Sequence, residues 1–196
     1  MNAQECILTR RSTRKFASKP VDAALIERIV EAGRYAPSGG NNQYTHFFVL
    51  TNKAVLNELA TIAQEEFAKM EITEGMYKSL VNSVRASKKG NYRFHYDAPV
   101  LIVTANRISY GNHMADCACA LENMMLMANA LDLGSVWINQ LNWLGDNARI
   151  REVFARYGLT EDERIYGAVS VGHPDTEDGL PNRKALPRTG NPVTYI

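Results

Sequence analysis

The sequence predicts a globular domain of mixed helices and strands, with helices covering both faces of a sheet. Two stretches carry that reading. Residues 99–105, P-V-L-I-V-T-A, are apolar on successive rather than alternate positions, which marks a strand covered on both faces and therefore central in its sheet. Residues 113–131 form the longest helical segment and are apolar nearly all round, with Ala118, Leu121, Met124, Met125, Leu126, Met127 and Leu131. Such a helix is expected to be buried on several sides. The size allows it: 196 residues, 45% hydrophobic and 22% charged, can enclose one core without disulfides or metals.

The remaining elements follow in order. A short helix is expected over residues 4–9. Asp22 can cap a helix whose Leu25, Ile26, Ile29 and Val30 recur at helical spacing, ending near Gly33 and the loop Ala36-Pro37-Ser38-Gly39-Gly40-Asn41. Residues 46–51 read as a strand, 53–68 as an amphipathic helix and 74–87 as a second one. After the long helix, which Gly134 ends, come a strand at 135–138, a helix at 146–157 and a strand at 164–171. Residues 175–196 are aperiodic and hold Pro181, Pro187 and Pro192, as a disordered tail or an extended arm would. The whole of residues 1–196 is thus expected to be one domain, about 175–196 forming the arm.

Composition excludes several function classes. The net charge of +1 provides no general attraction to nucleic acid or membrane, and no apolar run approaches the ~20 residues of a membrane helix. Three cysteines, Cys6, Cys117 and Cys119, make no disulfide framework, and no apolar leader opens the chain, so a cytoplasmic setting is expected. Cys117-Ala118-Cys119 has the wrong spacing for a redox or zinc pair and reads as inert core thiols. His113 and Asp116 have no further ligand at metal spacing and read as capping or surface residues, and the methionines read as core filler. No metal is expected.

The charge is unevenly spread. Between Cys6 and Val21 there is no acid, while Arg10, Arg11, Arg14, Lys15 and Lys19 crowd together; residues 181–196 carry Arg183, Lys184 and Arg188, again without an acid. Guanidiniums and the Ser12 hydroxyl suit a phosphate, although a solvated basic surface is the commoner use of such a run. The loop Pro37-Ser38-Gly39-Gly40-Asn41-Asn42-Gln43 offers glycines that let a flat ligand approach and amides that read a heterocycle's rim; it is equally a helix-to-strand turn. Val136, Trp137, Ile138 and Asn139 end a strand and read as core when taken alone.

Taken together, R-R-S-T-R-K-F, A-P-S-G-G-N-N-Q, Y-D-A-P-V-L-I-V, E-N-M-M-L-M-A-N-A-L-D-L-G-S-V-W-I and G-A-V-S-V-G-H-P with a later P-N-R-K resemble the FMN-dependent nitroreductase family, in its order and spacing from about residue 7 to 184. The resemblance implies an α+β fold: a central, mostly antiparallel sheet flanked by helices, in an intertwined homodimer with an extended C-terminal arm and two interfacial FMN sites. It implies a ping-pong oxidoreductase in which NADH or NADPH passes a hydride to flavin N5 and an acceptor such as a nitroaromatic or quinone takes the electrons. No side chain need act as nucleophile or general base.

By the same resemblance, Arg10, Arg11, Ser12 and Arg14 hold the FMN phosphate and ribityl chain, with Arg183 of the arm as a second phosphate ligand. Pro37, Ser38, Gly39, Asn41 and Gln43 reach the flavin from the other subunit. Val136, Trp137, Ile138 and Asn139 lie near the isoalloxazine, and Asn91 reads its edge. A non-catalytic phosphate- or nucleotide-binding module is the alternative, as are reductive dehalogenation and flavin breakdown on the same scaffold. This chain has Gln43-Tyr44-Thr45 where many members read Q-P-W, and its segment 106–113 is short where larger members insert helices over the flavin.

Overall fold

Four strands, β1 (His46–Leu50), β2 (Val100–Arg107), β3 (Gly134–Ile138) and β4 (Glu163–Gly172), form one antiparallel sheet in the order β1-β2-β4-β3 in the computed structural model, which describes residues 1–196. The run at 99–105 is the central β2, and residues 100–106 are all buried. Alternate β2 side chains serve two cores. Leu101, Val103 and Ala105 face one cluster, and Val100 and Ile102 the other.

The first cluster packs β2 and β4 against α3 (Lys53–Lys69), α4 (Lys78–Lys89) and α7 (Ala148–Ala155), through Leu59, Phe67, Val84, Ile150 and Phe154. The second packs the opposite face against α2 (Ala23–Arg34) and α5 (His113–Ala130), through Ile29, Leu121, Met124, Met125 and Ala128. Two helical layers therefore sandwich the sheet, which is the α+β arrangement expected. The short α1 (Ala3–Thr9), closed by a capping box between Asn2 and Glu5, lies against α5.

Several boundaries and environments differ from the sequence reading. Helix α4 begins at Lys78, not 74, because Gly75 turns the chain at φ 78°. Helix α7 begins at Ala148, where the Asn147 side chain accepts from the N–H groups of Arg149 and Ile150. A four-residue helix, α6 (Gln140–Trp143), was not anticipated. Asp22 stands at the expected cap position but its side chain makes no capping bond.

In the single chain α5 is covered on one side. Ala115, Cys119 and Ala130 are exposed, and Leu126 and Met127 are half-buried. Cys119 is therefore not a core thiol as expected, whereas Cys117 is. Asp116, expected to be a surface or capping residue, is buried. Residues 175–196 contain no helix or strand. No helix is long and apolar enough to cross a membrane.

Candidate functional site

The residues singled out in the sequence fall into two groups at opposite ends of α5. The first is a basic junction. Segment 10–14 runs beside β3: Ser12 bridges Ser135 in parallel, and the Thr13 N–H donates to the Ser135 carbonyl at 2.9 Å. That approach requires a glycine in β3, since a Cβ on Gly134 would lie 2.6–2.7 Å from three Thr13 side-chain atoms. The arm returns to the same place, where Arg11 Nε donates to the Lys184 carbonyl at 2.7 Å. The two acid-free basic segments thus meet in one chain, through a contact between residues 173 apart in sequence.

Their guanidiniums are used differently. Arg11 also donates to the carbonyls of Arg10 and Leu8, and so braces the segment. Arg183 donates to Asn129 Oδ1 at 3.2 Å, to the Asn129 carbonyl at 2.5 Å and to Asp132 at 2.6 Å, leaving Nη1 without a partner. Arg10 is paired only with Glu122, at 3.8 Å. Arg14 and Ser12 are exposed, and their side chains bond to nothing in the chain.

From this junction, which sits at the start of β3, the strand runs on to Ile138. Val136 and Ile138 point into the first core and have only backbone to offer a ligand, while Trp137 packs on the opposite face and donates through Nε1 to Asn139 Oδ1 at 2.7 Å. Asn91 is exposed at φ 59°, beside Tyr92. The Tyr92 hydroxyl meets Gln140, the residue after Asn139, at 2.8 Å, and Ser83 at the same distance. Asn91 is thereby tethered one residue from a network that reaches the β3 end.

The second group is the amide loop. Gly40, Asn41 and Gln43 all have positive φ, near 53–59°, a region in which Asn is tolerated and Gln is rare. Two contacts hold that shape. The Gly39 N–H donates to Asp116 Oδ1 at 3.3 Å, and the Tyr110 hydroxyl donates to the Gly39 carbonyl at 3.0 Å. The Ser38 hydroxyl accepts from the Gln43 N–H at 3.1 Å. The side chains of Asn41 and Gln43 are exposed, and Asp116 Oδ2 is buried without a partner beneath them.

Asp116 anchors the loop at one end of α5, and Asn129 anchors the junction at the other. At ~1.5 Å per residue these anchors are about 20 Å apart along the helix. One chain therefore presents the two groups on different regions of its surface.

Sequence reasoning missed the residues that hold each group in place. Asn129 is buried and donates through Nδ2 to the Cys6 carbonyl and Thr9 Oγ1, so it ties α1, α5 and the arm together. An asparagine inside an apolar helix was the available signal, because a buried amide needs partners. Asp116 offered the same signal. Tyr110 offered none.

A family model of nitroreductases matches residues 7–173. A nitroreductase from Bacteroides fragilis, solved with bound FMN, is 32% identical over 100% of both chains with a TM-score of 0.85. Another with bound FMN, from Desulfitobacterium hafniense, is 25% identical over 100% of this chain and 99% of its own, with a TM-score of 0.81. A relative from Archaeoglobus fulgidus, provisionally named an NADH dehydrogenase/NAD(P)H nitroreductase, is 28% identical over 177 residues, 89% of this chain and 88% of its own. With a family match over most of its length and a fold shared end to end with FMN-bound members, the chain belongs to the nitroreductase family.

Proposed function

We propose that this protein is an FMN-dependent oxidoreductase that uses NADH or NADPH to reduce a small acceptor such as a nitroaromatic or quinone. The observation that carries this is the junction of residues 10–14 with residues 183–184 at the start of β3. Its donor set fits FMN. A phosphate dianion needs several N–H and O–H donors, and Arg10, Ser12, Arg14 and the unpartnered Nη1 of Arg183 supply them around a segment that Arg11 braces. A heterocyclic rim needs donors and acceptors at fixed positions, and Ser38, Asn41 and Gln43 supply these on a loop held by Asp116 and Tyr110.

When bound, FMN supplies the two-electron chemistry that links nicotinamide to acceptor. The protein's own part is placement. The phosphate donors fix one end of the cofactor, and the backbone of Val136–Asn139 lines its path, with Asn91 and Asn139 at the edge. Pro37 and Gly39 shape the loop that closes over the other end. The absence of acids from segment 10–14 leaves its positive charge free to stabilise negative charge on the ligand.

The separation of the half-sites along α5 favours a homodimer in which the loop of one protomer completes the junction of its partner. Two further features support this. A groove of about 570 Å³, lined by Met1, Ile7, Tyr35, Leu126, Met127 and Ala130 among others, lies open along α1, α2 and α5. The arm exposes the apolar side chains of Leu186, Val193, Tyr195 and Ile196. We take residues 1–196 as one FMN-binding unit whose last twenty or so residues embrace the partner, and the three free cysteines as fitting a reducing cytoplasm.

Purification tests the reading. The protein should be yellow, release FMN on denaturation and bleach with NADH or NADPH under anaerobic conditions. A colourless protein that cannot be reconstituted with FMN overturns it.

A further inference from the structure

Arg107, at the end of β2, has its guanidinium 4.0 Å from the centre of the Tyr44 ring. Tyr44 in turn meets Tyr110 edge to face, with ring centres 5.3 Å apart, and the Tyr110 hydroxyl donates to Gly39 of the amide loop. Arg107 is therefore fixed to the loop through two aromatic rings. Its side chain is exposed and forms no hydrogen bond or ion pair.

Acids are close enough to have taken it. Glu163 is its cross-strand partner, but that carboxylate is bound by His46 Nδ1 at 3.1 Å and accepts from the Thr160 N–H at 3.1 Å. Asp162 accepts from the Thr160 hydroxyl at 2.6 Å. A guanidinium stacked on a ring loses little of its donor capacity, because the N–H groups point outward in the plane while the face meets the π-system. Arg107 is thus a cation held in position with its donor fork unspent.

We propose that Arg107, held against Tyr44, recognises an anionic group on the molecule that enters the site beside the amide loop. A carboxylate or phosphate oxygen pair matches the fork. Two substrates could carry it: the 2′-phosphate that distinguishes NADPH from NADH, or a carboxylate on an aromatic acceptor. The proposal rests on the reading that the amide loop borders the flavin.

The test uses the FMN-loaded protein and its Arg107→Gln, Arg107→Lys and Tyr44→Leu variants. Two ratios are measured: kcat/KM for NADPH over NADH, and for 4-nitrobenzoate over nitrobenzene. Dissociation constants for NADP⁺ and NAD⁺ are read by calorimetric titration. Arg107→Gln should lower one of the ratios about tenfold, the loss of one charged, exposed hydrogen-bonded pair. Tyr44→Leu should lower it less, and Arg107→Lys should restore part of it. A fall confined to the first ratio, matched by weaker NADP⁺ binding, assigns the phosphate; a fall confined to the second assigns the carboxylate. If neither ratio moves, or all substrates lose equally, the proposal is overturned. A wild-type protein without FMN would overturn the oxidoreductase reading itself, a result distinct from unchanged ratios in a yellow protein.

Discussion

Replacing Gly134 with alanine should damage cofactor binding from a position that touches no cofactor. The added methyl would sit 2.6 Å from Thr13 Cγ2 and 2.7 Å from its Cβ and Oγ1, roughly 1 Å inside ordinary contact. β3 is hydrogen-bonded along its length to β4 and cannot retreat, so the segment carrying Thr13 must move. Overpacking of this kind costs about 1–3 kcal/mol, and displacement also strains the bond from the Thr13 N–H to the Ser135 carbonyl, worth about 1 kcal/mol. Arg10, Ser12 and Arg14 move with it.

Urea unfolding of the apoprotein should therefore show a loss of about 2–4 kcal/mol, and fluorescence titration should show FMN affinity reduced at least tenfold. The double variant Thr13→Gly/Gly134→Ala, which empties the contested space, should recover most of both losses. Wild-type stability and FMN affinity in Gly134→Ala, or no recovery in the double variant, would refute the close approach as the cause.

Other consequences are open to measurement. Arg14→Ala should weaken FMN binding by about 1.5–3 kcal/mol while leaving apoprotein stability unchanged, since Arg14 has no partner in the chain; unchanged affinity removes it from the phosphate site. Arg183→Ala should lower both quantities, because it also releases Asn129 and Asp132. His95 is buried with Nδ1 unpartnered, and burial holds its pKa down to about 4 from 6.5. The unfolded chain then binds a proton that the fold rejects. Stability should be level above pH 6.5 and fall by up to about 3 kcal/mol as pH drops toward 4, a fall that His95→Gln should flatten in urea midpoints measured at pH 7 and 4.5. Burial also pushes the Cys117 thiol up to about 11, so maleimide should leave it untouched until unfolding. Cys119, on the open side of α5, should react in dilute solution and be protected at concentrations where dimers form; equal reactivity at all concentrations would argue against pairing through this side.

What the sequence disclosed was whatever repeats locally. The unbroken apolar run of β2 and the helical spacing in α2 and α3 depend on neighbours a few residues away, and the structure follows them closely. The environment of α5 was legible only in part. Its all-round apolarity marks burial, but part of that face, Leu126 and Ala130 included, lies open in the single chain. The site was legible as pieces. Basic segments and an amide loop could be recognised, yet nothing in the spacing shows Arg11 spending its donors on carbonyls or Lys184 arriving beside it. Contacts such as Tyr110 to Gly39, or Thr13 over Gly134, join residues whose types are unremarkable on their own. They are set by how layers stack, and periodicity does not report that.

The length of α5 has a genetic consequence. If the junction at one end and the loop at the other serve different cofactors, a lesion in each half is borne by a different site of the dimer. A chain damaged at Arg14 and a chain damaged at Asn41, each inactive as a homodimer, should complement when co-expressed, because the mixed dimer concentrates both lesions in one site and leaves the other intact. Random pairing makes half of all dimers mixed, each with one sound site, so about a quarter of wild-type FMN should return.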